Sequence, residues 1–127
     1  MNLFYTLLTS VLFSLSFDGE IPYNSIEKAF EANNPKEVVS LGKSKIMINI
    51  LGKEGIYSQS QAGLVLKDFF YRKPGSQFNF VFKGKESKDG TFAIGNYLSR
   101  SEKFRVTIHF KNSEGLYKIE SLTIEKG

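Results

Sequence analysis

The chain has no cysteine and no tryptophan, one histidine, two methionines and three prolines among 127 residues. These shortages close off whole classes of function. Without cysteine there is no disulfide framework, no thiolate metal site, no cysteine nucleophile and no N-terminal cysteine to carry a lipid. With His109 as the only imidazole, a histidine metal cluster or a Ser-His-Asp triad has a single candidate member. No metal and no cofactor is expected, and no catalytic residue can be named.

Charge of one sign is also in short supply. Lysine and arginine number 17 against 13 acids, a net +4, but the lysines are scattered and acids interrupt them, as in Lys83, Lys85, Glu86, Lys88 and Asp89. No helical pattern carries a basic stripe, so the phosphate-neutralising surface of a nucleic-acid binder is not expected. The excess reads as a solubility charge.

What is present is ordinary for one folded domain: 41% hydrophobic and 24% charged residues, enough for a single core. There are 12 phenylalanines. Phe has no polar handle, so most of this aromatic load should fill a core.

Leu3 to Phe17 is almost unbroken apolar sequence, shorter than the roughly 20 residues that span a bilayer. Ser14-Leu15-Ser16 offers small residues at a signal-peptidase spacing, and Asp18-Gly19-Glu20 follows. Residues 1–17 read as a signal peptide and 18–127 as the mature domain, exported to the periplasm and without a stable membrane span after cleavage. No Lys or Arg precedes the apolar run. An uncleaved anchor and a buried N-terminal helix are the alternatives.

The remainder reads as helix, helix, strand pair, helix, then a run of strands. Asn24 to Asn34 is a short helix with Asn24 as cap and Glu27 three residues on. Asn34 caps a second, with Pro35 at its first position, Glu37 at its third and Gly42 as its stop. Lys45 to Leu51 alternates, with Ile46, Ile48 and Ile50 on one side, and Gly52 to Gly55 turns it into a short partner around Ile56-Tyr57. Ser58 and Gln61 form a capping box for a third helix carrying Ala62, Val65, Leu66, Phe69 and Phe70. Arg72 and Lys73 complement its C-terminal dipole and Pro74-Gly75 ends it. Phe78, Phe80 and Phe82 then alternate, Thr91 to Ser99 follows, and Phe104, Val106, Ile108 and Phe110 alternate again. In the last strand Ile119, Leu122 and Ile124 break strict alternation, so a bulge near Glu120-Ser121 is expected. The fold class is α+β: a bent antiparallel sheet with the helices on one side.

That order, with the closing Tyr117-Lys118-Ile119 and Leu122-Thr123-Ile124, resembles the nuclear-transport-factor-2-like superfamily, also called cystatin-like. Ile50 to Ser58, Leu66-Lys67-Asp68-Phe69-Phe70 and Phe92-Ala93-Ile94-Gly95 are similar to a domain-of-unknown-function family of small exported bacterial proteins with this fold. The resemblance covers about residues 21 to 125. It implies a cone-shaped domain and export, and it brings no reaction whose residues could be carried over.

Enzymes and ligand carriers of that fold use the cone between sheet and helices. An isomerase of this kind needs a carboxylate base there, yet Phe78, Phe80, Phe82, Phe104, Val106, Ile108 and Phe110, the residues expected to point inward, are all untitratable. If the cone holds an apolar ligand, Tyr57, Phe69, Phe80, Tyr97 and Ile108 are the candidate lining. Glu54 and Asp68 are the carboxylates closest to its mouth, and Tyr57, Tyr71 and Tyr97 could present hydroxyls there. The opposite sheet face would carry Lys83, Arg105, Thr107, His109 and Lys111, with Val81 and Tyr117 nearby, and could bind a second copy of the chain or an envelope protein. The expected function is a non-catalytic exported binding or accessory module. A carrier of a small apolar ligand is the alternative, and an isomerase- or hydrolase-like enzyme comes third.

Overall fold

The computed structural model describes residues 20–127, so the expected signal peptide lies outside the described residues. Among the described residues three helices, α1 (Tyr23–Glu31), α2 (Pro35–Ser40) and α3 (Gln59–Arg72), accompany six strands: β1 (Gly42–Ile50), β2 (Lys53–Ser58), β3 (Gln77–Lys83), β4 (Gly90–Ser99), β5 (Glu102–Ser113) and β6 (Leu116–Lys126). The strands form one sheet in the order β2-β1-β6-β5-β4-β3. All neighbours are antiparallel except β1 and β6, which run parallel. No described helix is long and apolar enough to cross a membrane.

Local chemistry explains most of the element ends. Asn34 Oδ1 accepts the Glu37 N–H and Pro35 opens α2, as the sequence suggests. The capping box of α3 forms in full, Ser58 Oγ with Gln61 N–H and Gln61 Oε1 with Ser58 N–H. The β1–β2 turn places Leu51 and Gly52 at positive φ, the signature of a two-residue hairpin whose twist suits the flanking strands.

Two expectations about helix ends are corrected. Pro22, not Asn24, occupies the N-cap of α1, and no side chain caps it. The helix stops at Glu31 because Asn33 turns to a φ of 53°. There the Asn33 N–H donates to Phe30 O and the Asn34 N–H to Ala29 O, a paired closure that satisfies carbonyls otherwise left open. Gly42 does not stop α2 either: Leu41 does, and Gly42 is buried as the first residue of β1.

The helices cover one face of the sheet. Ile26 and Phe30 from α1, Val38 and Val39 from α2, and Leu66, Phe69 and Phe70 from α3 are buried against Ile46, Ile48, Phe104, Val106, Ile108, Ile119 and Leu122. The bulge in β6 falls where the sequence placed it: His109 pairs Ser121 and Phe110 pairs Ile119, leaving Glu120 unmatched.

A second bulge was not expected. The β3–β4 register shifts between Phe80 and Phe82, so strict alternation fails at Val81. Phe78 is buried, Phe80 half-buried and Phe82 48% exposed on the open face. Lys83 is thereby turned to the helix-covered side, its Nζ 4.5 Å from the centre of the Tyr23 ring. The assignments of Phe82 to the core and Lys83 to the open face are both reversed by this one extra residue.

Candidate functional site

The sheet and helices enclose one continuous run of rings rather than an open funnel, joined where Phe78 meets Phe80 at 5.1 Å. At one end, Phe69 lies against Phe70, Tyr97 and Phe104 with centroids 5.5–5.9 Å apart. Phe30 stacks on Phe78 at 4.6 Å. At the other end, Tyr23 closes edge-on over Phe80 at 4.9 Å and Phe110 at 6.0 Å. Of the five residues expected to line a ligand pocket, Phe69, Tyr97 and Ile108 are fully buried within this packing. Phe80 is half-buried beneath Tyr23, and Tyr57 lies in an outer groove of about 390 Å³ beside Ile50, Leu64, Val65 and Asp68.

The polar groups around Tyr97 are committed to structure, whereas the buried Thr91 Oγ1 has no hydrogen-bond partner among the described residues. Tyr97 Oη donates to the Lys73 carbonyl at 2.7 Å and lies 3.1 Å from Asn33 Oδ1. That same Asn33 oxygen accepts the Gly75 N–H at 2.8 Å, and Asn33 Nδ2 donates back to Gly75 O. Burial pushes the Tyr97 phenol well above its ordinary range. A buried phenol kept neutral and bonded to backbone ties the ends of α1 and α3 to β4. The carboxylates proposed near the mouth are solvated: Asp68 pairs with Arg72 one helical turn on, and Glu54 accepts from Asn49 across the β1–β2 hairpin. Tyr71 is 86% exposed. Among the described residues no three acids or imidazoles gather as metal ligands.

The open sheet face is different. Arg105, His109 and Lys111 are exposed there and Thr107 is half-buried, all on one side of β5 because their neighbours Phe104, Val106, Ile108 and Phe110 are buried. Tyr117 is half-buried on the helix-covered side, where it packs against the core, and its hydroxyl donates to Ser87 O. Register then lines up a row that the sequence did not disclose. Ile56 pairs Met47, Met47 pairs Ser121, Ser121 pairs His109, and His109 pairs Phe92. Phe92 stacks on His109 at 5.5 Å and meets Phe82 at 5.4 Å. A row with apolar ends and a polar centre, where Ser121 is buried beside His109, thus crosses all six strands. Ile56 is 72% exposed at one end, and Phe82 and Val81 are exposed at the other. The β1–β6 parallel pairing and the β3 bulge create this row, and neither leaves a mark in residue periodicity.

A family model described as "Domain of unknown function (DUF4783)" matches residues 23–125. A DUF4783 family protein from Bacteroides ovatus ATCC 8483 superposes with a TM-score of 0.77 at 25% identity, over 86% of this chain and 97% of that one. One from Bacteroides fragilis YCH46 gives 0.76 at 26% identity, over 85% of this chain and 100% of that one. An NTF2-like protein of unknown function from Shewanella baltica OS155 shares the fold at 11% identity, with a TM-score of 0.64 over 82% of this chain and 86% of that one. No curated protein matches the chain. With a bent six-stranded sheet under three helices, this chain belongs to the DUF4783 family and has the nuclear-transport-factor-2-like, or cystatin-like, fold.

Proposed function

We propose that this protein is a non-catalytic binding module, exported to the periplasm, that docks a protein partner on the open face of its sheet. The observation that carries the reading is the row from Ile56 through Met47, Ser121, His109 and Phe92 to Phe82. Exposed apolar side chains at both ends of one row, Ile56 at one and Phe82 and Phe92 at the other, are uncommon on a surface that only meets water, although Ser121 and His109 separate them. Aromatic rings and methionine are enriched at interface centres, and here Lys111 follows His109 on the open face, with Arg105 further along the strand beyond Thr107. Carriage of an apolar ligand inside the cone would require the buried Phe69, Tyr97 and Ile108 to part, which the filled aromatic interior disfavours.

A second copy of the chain is the first partner to test, since a sheet face can pair with itself about a two-fold axis. Sedimentation velocity of the full chain over a concentration series is compared with the double substitution Phe82→Ser and Phe92→Ser. A wild-type dimer that the double variant converts to monomer, at unchanged circular dichroism, supports the reading. If the wild type stays monomeric, cross-linking in envelope extracts with wild type and variant decides the matter. Identical adduct patterns for both would sink the sheet face as a docking surface.

A further inference from the structure

On the far side of the domain, two helices leave a channel that the sheet-face reading does not use. Between α2 and α3 runs an open groove of about 430 Å³, with Val39 and Gly63 at its base and Lys36, Leu64 and Lys67 along its sides. It continues past Pro35 and Lys67 into a second groove of about 360 Å³ bounded by Phe70, Tyr71 and Pro74.

Three observations set this channel apart from incidental surface. The first is Gly63. A glycine inside a helix costs about 1 kcal/mol relative to alanine, and close helix packing is the usual reason to keep one. Here a Cβ would meet only Val39 Cγ2, at 3.8 Å, and φ is not positive. Packing therefore does not require the glycine; what its missing side chain does is deepen the channel. The second is apolar exposure: Leu64 is 66% exposed and Tyr71 86% exposed, seven residues apart on the same side of α3. The third is charge. The residues lining the two grooves include Lys36 and Lys67 and no Asp or Glu. Neither lysine has an ion-pair partner among the described residues, whereas Arg72, further along α3, is paired with Asp68.

We infer that the α2–α3 channel binds an acidic peptide segment of a protein partner, with apolar side chains set over Gly63 and Leu64 and carboxylates held by Lys36 and Lys67. The channel is open along its length, which suits a chain lying across it. An isolated small ligand would normally have 70–90% of its surface buried, roughly speaking. Two unpaired ammonium groups over an apolar floor select carboxylates by charge and reject a basic segment by the same means.

The test is panning of a phage-displayed random 12-residue peptide library on the full chain, with each enriched peptide remade and measured by fluorescence anisotropy. The expected outcome is peptides that combine two or more Asp or Glu with Leu, Ile or Phe. Their affinity should fall at least about tenfold in the double charge reversal Lys36→Glu and Lys67→Glu. Both lysines are exposed, and circular dichroism verifies that the variant folds. Gly63→Leu, which fills the floor without touching charge, should weaken the same peptides. No enrichment, or peptides indifferent to both changes, would overturn the inference. Enrichment of acid-free apolar sequences resembling Leu3 to Phe17 would instead give the channel to the chain's own N-terminal segment. Binding to anionic phosphatidylglycerol vesicles but to no peptide would give it to a membrane surface, and a dimer dissolved by the lysine reversal would give it to a second copy. Each of these three results also overturns the inference. None depends on Phe82 or Phe92, so the channel and the sheet face can fail separately.

Discussion

Strand β5 presents two surfaces built from alternate residues. Phe104, Val106, Ile108 and Phe110 are buried beneath the helices, and Arg105, Thr107, His109 and Lys111 face outward. Across the sheet the contrast continues, with Phe69 sealed among Phe70, Tyr97 and Phe104 on one side and Phe92 lying between Phe82 and His109 on the other. Both sides carry aromatic clusters, but only one is removed from water. The lesson is one of parity: where a single face is covered, inward residues set stability and outward ones are free to serve recognition. The pair Phe69→Ala and Phe92→Ala puts this to the sharpest test. Truncating Phe69 leaves a cavity and should cost about 3–5 kcal/mol, read as a lower urea midpoint with an unchanged slope. Truncating Phe92 removes a cross-strand aromatic pair and should cost no more than about 1 kcal/mol. Equal losses would mean that the outer row is structural, and would remove the main support for a docking face.

The covered side also carries polar groups, and the hydroxyl of Tyr97 yields the next largest effect. Tyr97→Phe deletes the hydroxyl that donates to Lys73 O and lies beside Asn33, leaving the part-buried Lys73 carbonyl without that donor while Asn33 keeps the Gly75 N–H, at a cost of about 1–3 kcal/mol. Its pH dependence has a defined sign. The folded phenol titrates above its ordinary value of 10.0 because burial disfavours the phenolate. The contribution is therefore fully present below pH 10 and is lost as pH rises towards the folded value. The stability gap between wild type and Tyr97→Phe, measured by urea unfolding, should be flat up to about pH 10 and close beyond it. A gap that shrinks already at neutral pH would mean that the Asn33–Gly75–Tyr97 linkage does not hold the two helix ends.

The helix layer inverts the usual direction of effect. Gly63→Ala adds a methyl group that meets only Val39 at 3.8 Å, so it should raise stability by up to about 1 kcal/mol through helix propensity alone. A thermal melt checks it. Destabilisation would show that the channel floor is under packing constraint, which weakens the case that Gly63 is kept for an occupant.

The parts that were legible in the sequence are those fixed by local chemistry. Ser58 and Gln61 announce the start of α3, Asn34-Pro35 announces α2, and the broken alternation at Ile119 and Leu122 announces the β6 bulge. All six strands and their order along the chain follow from such signals. What periodicity does not carry is the pairing of distant segments. The parallel contact of β1 with β6 brings Met47 and Ile56 into line with His109, and no residue in either strand encodes that register. The β3 bulge is hidden for a different reason: Phe78, Phe80, Val81 and Phe82 are all good strand formers, so an unpaired residue among them leaves no compositional trace. Asn24 misled because a favourable capping residue stood two positions past Pro22, the N-cap of the helix. For the candidate site, Arg105, Thr107, His109 and Lys111 could be placed on the open face by alternation, but the row through His109 with its apolar ends required tertiary structure.

The smallest expected effect lies at the end of β5, where neither face dominates. Glu102 accepts a hydrogen bond from Lys73 and also faces Lys126. The Lys73 hydrogen bond holds its carboxyl below the ordinary value of 4.5; burial opposes this, and the charges of Lys73, Lys126 and Arg100 reinforce it. A depressed carboxylate stabilises the fold above its unfolded value, where it is ionised in both states. That stabilisation is lost as pH falls through the folded value, because the unfolded chain takes up the proton first. The stability difference between wild type and Glu102→Gln should therefore be constant near neutrality and shrink below about pH 4.5. Added salt should shrink it as well, since the carboxylate is solvent-facing and such pairs are screened. A difference that survives acid and salt would mean that Glu102 acts through packing at the β4–β5 corner. The division between a stabilising interior and a surface free for binding would then fail at the strand ends, where Lys73 links α3 to β5 across the edge of the core.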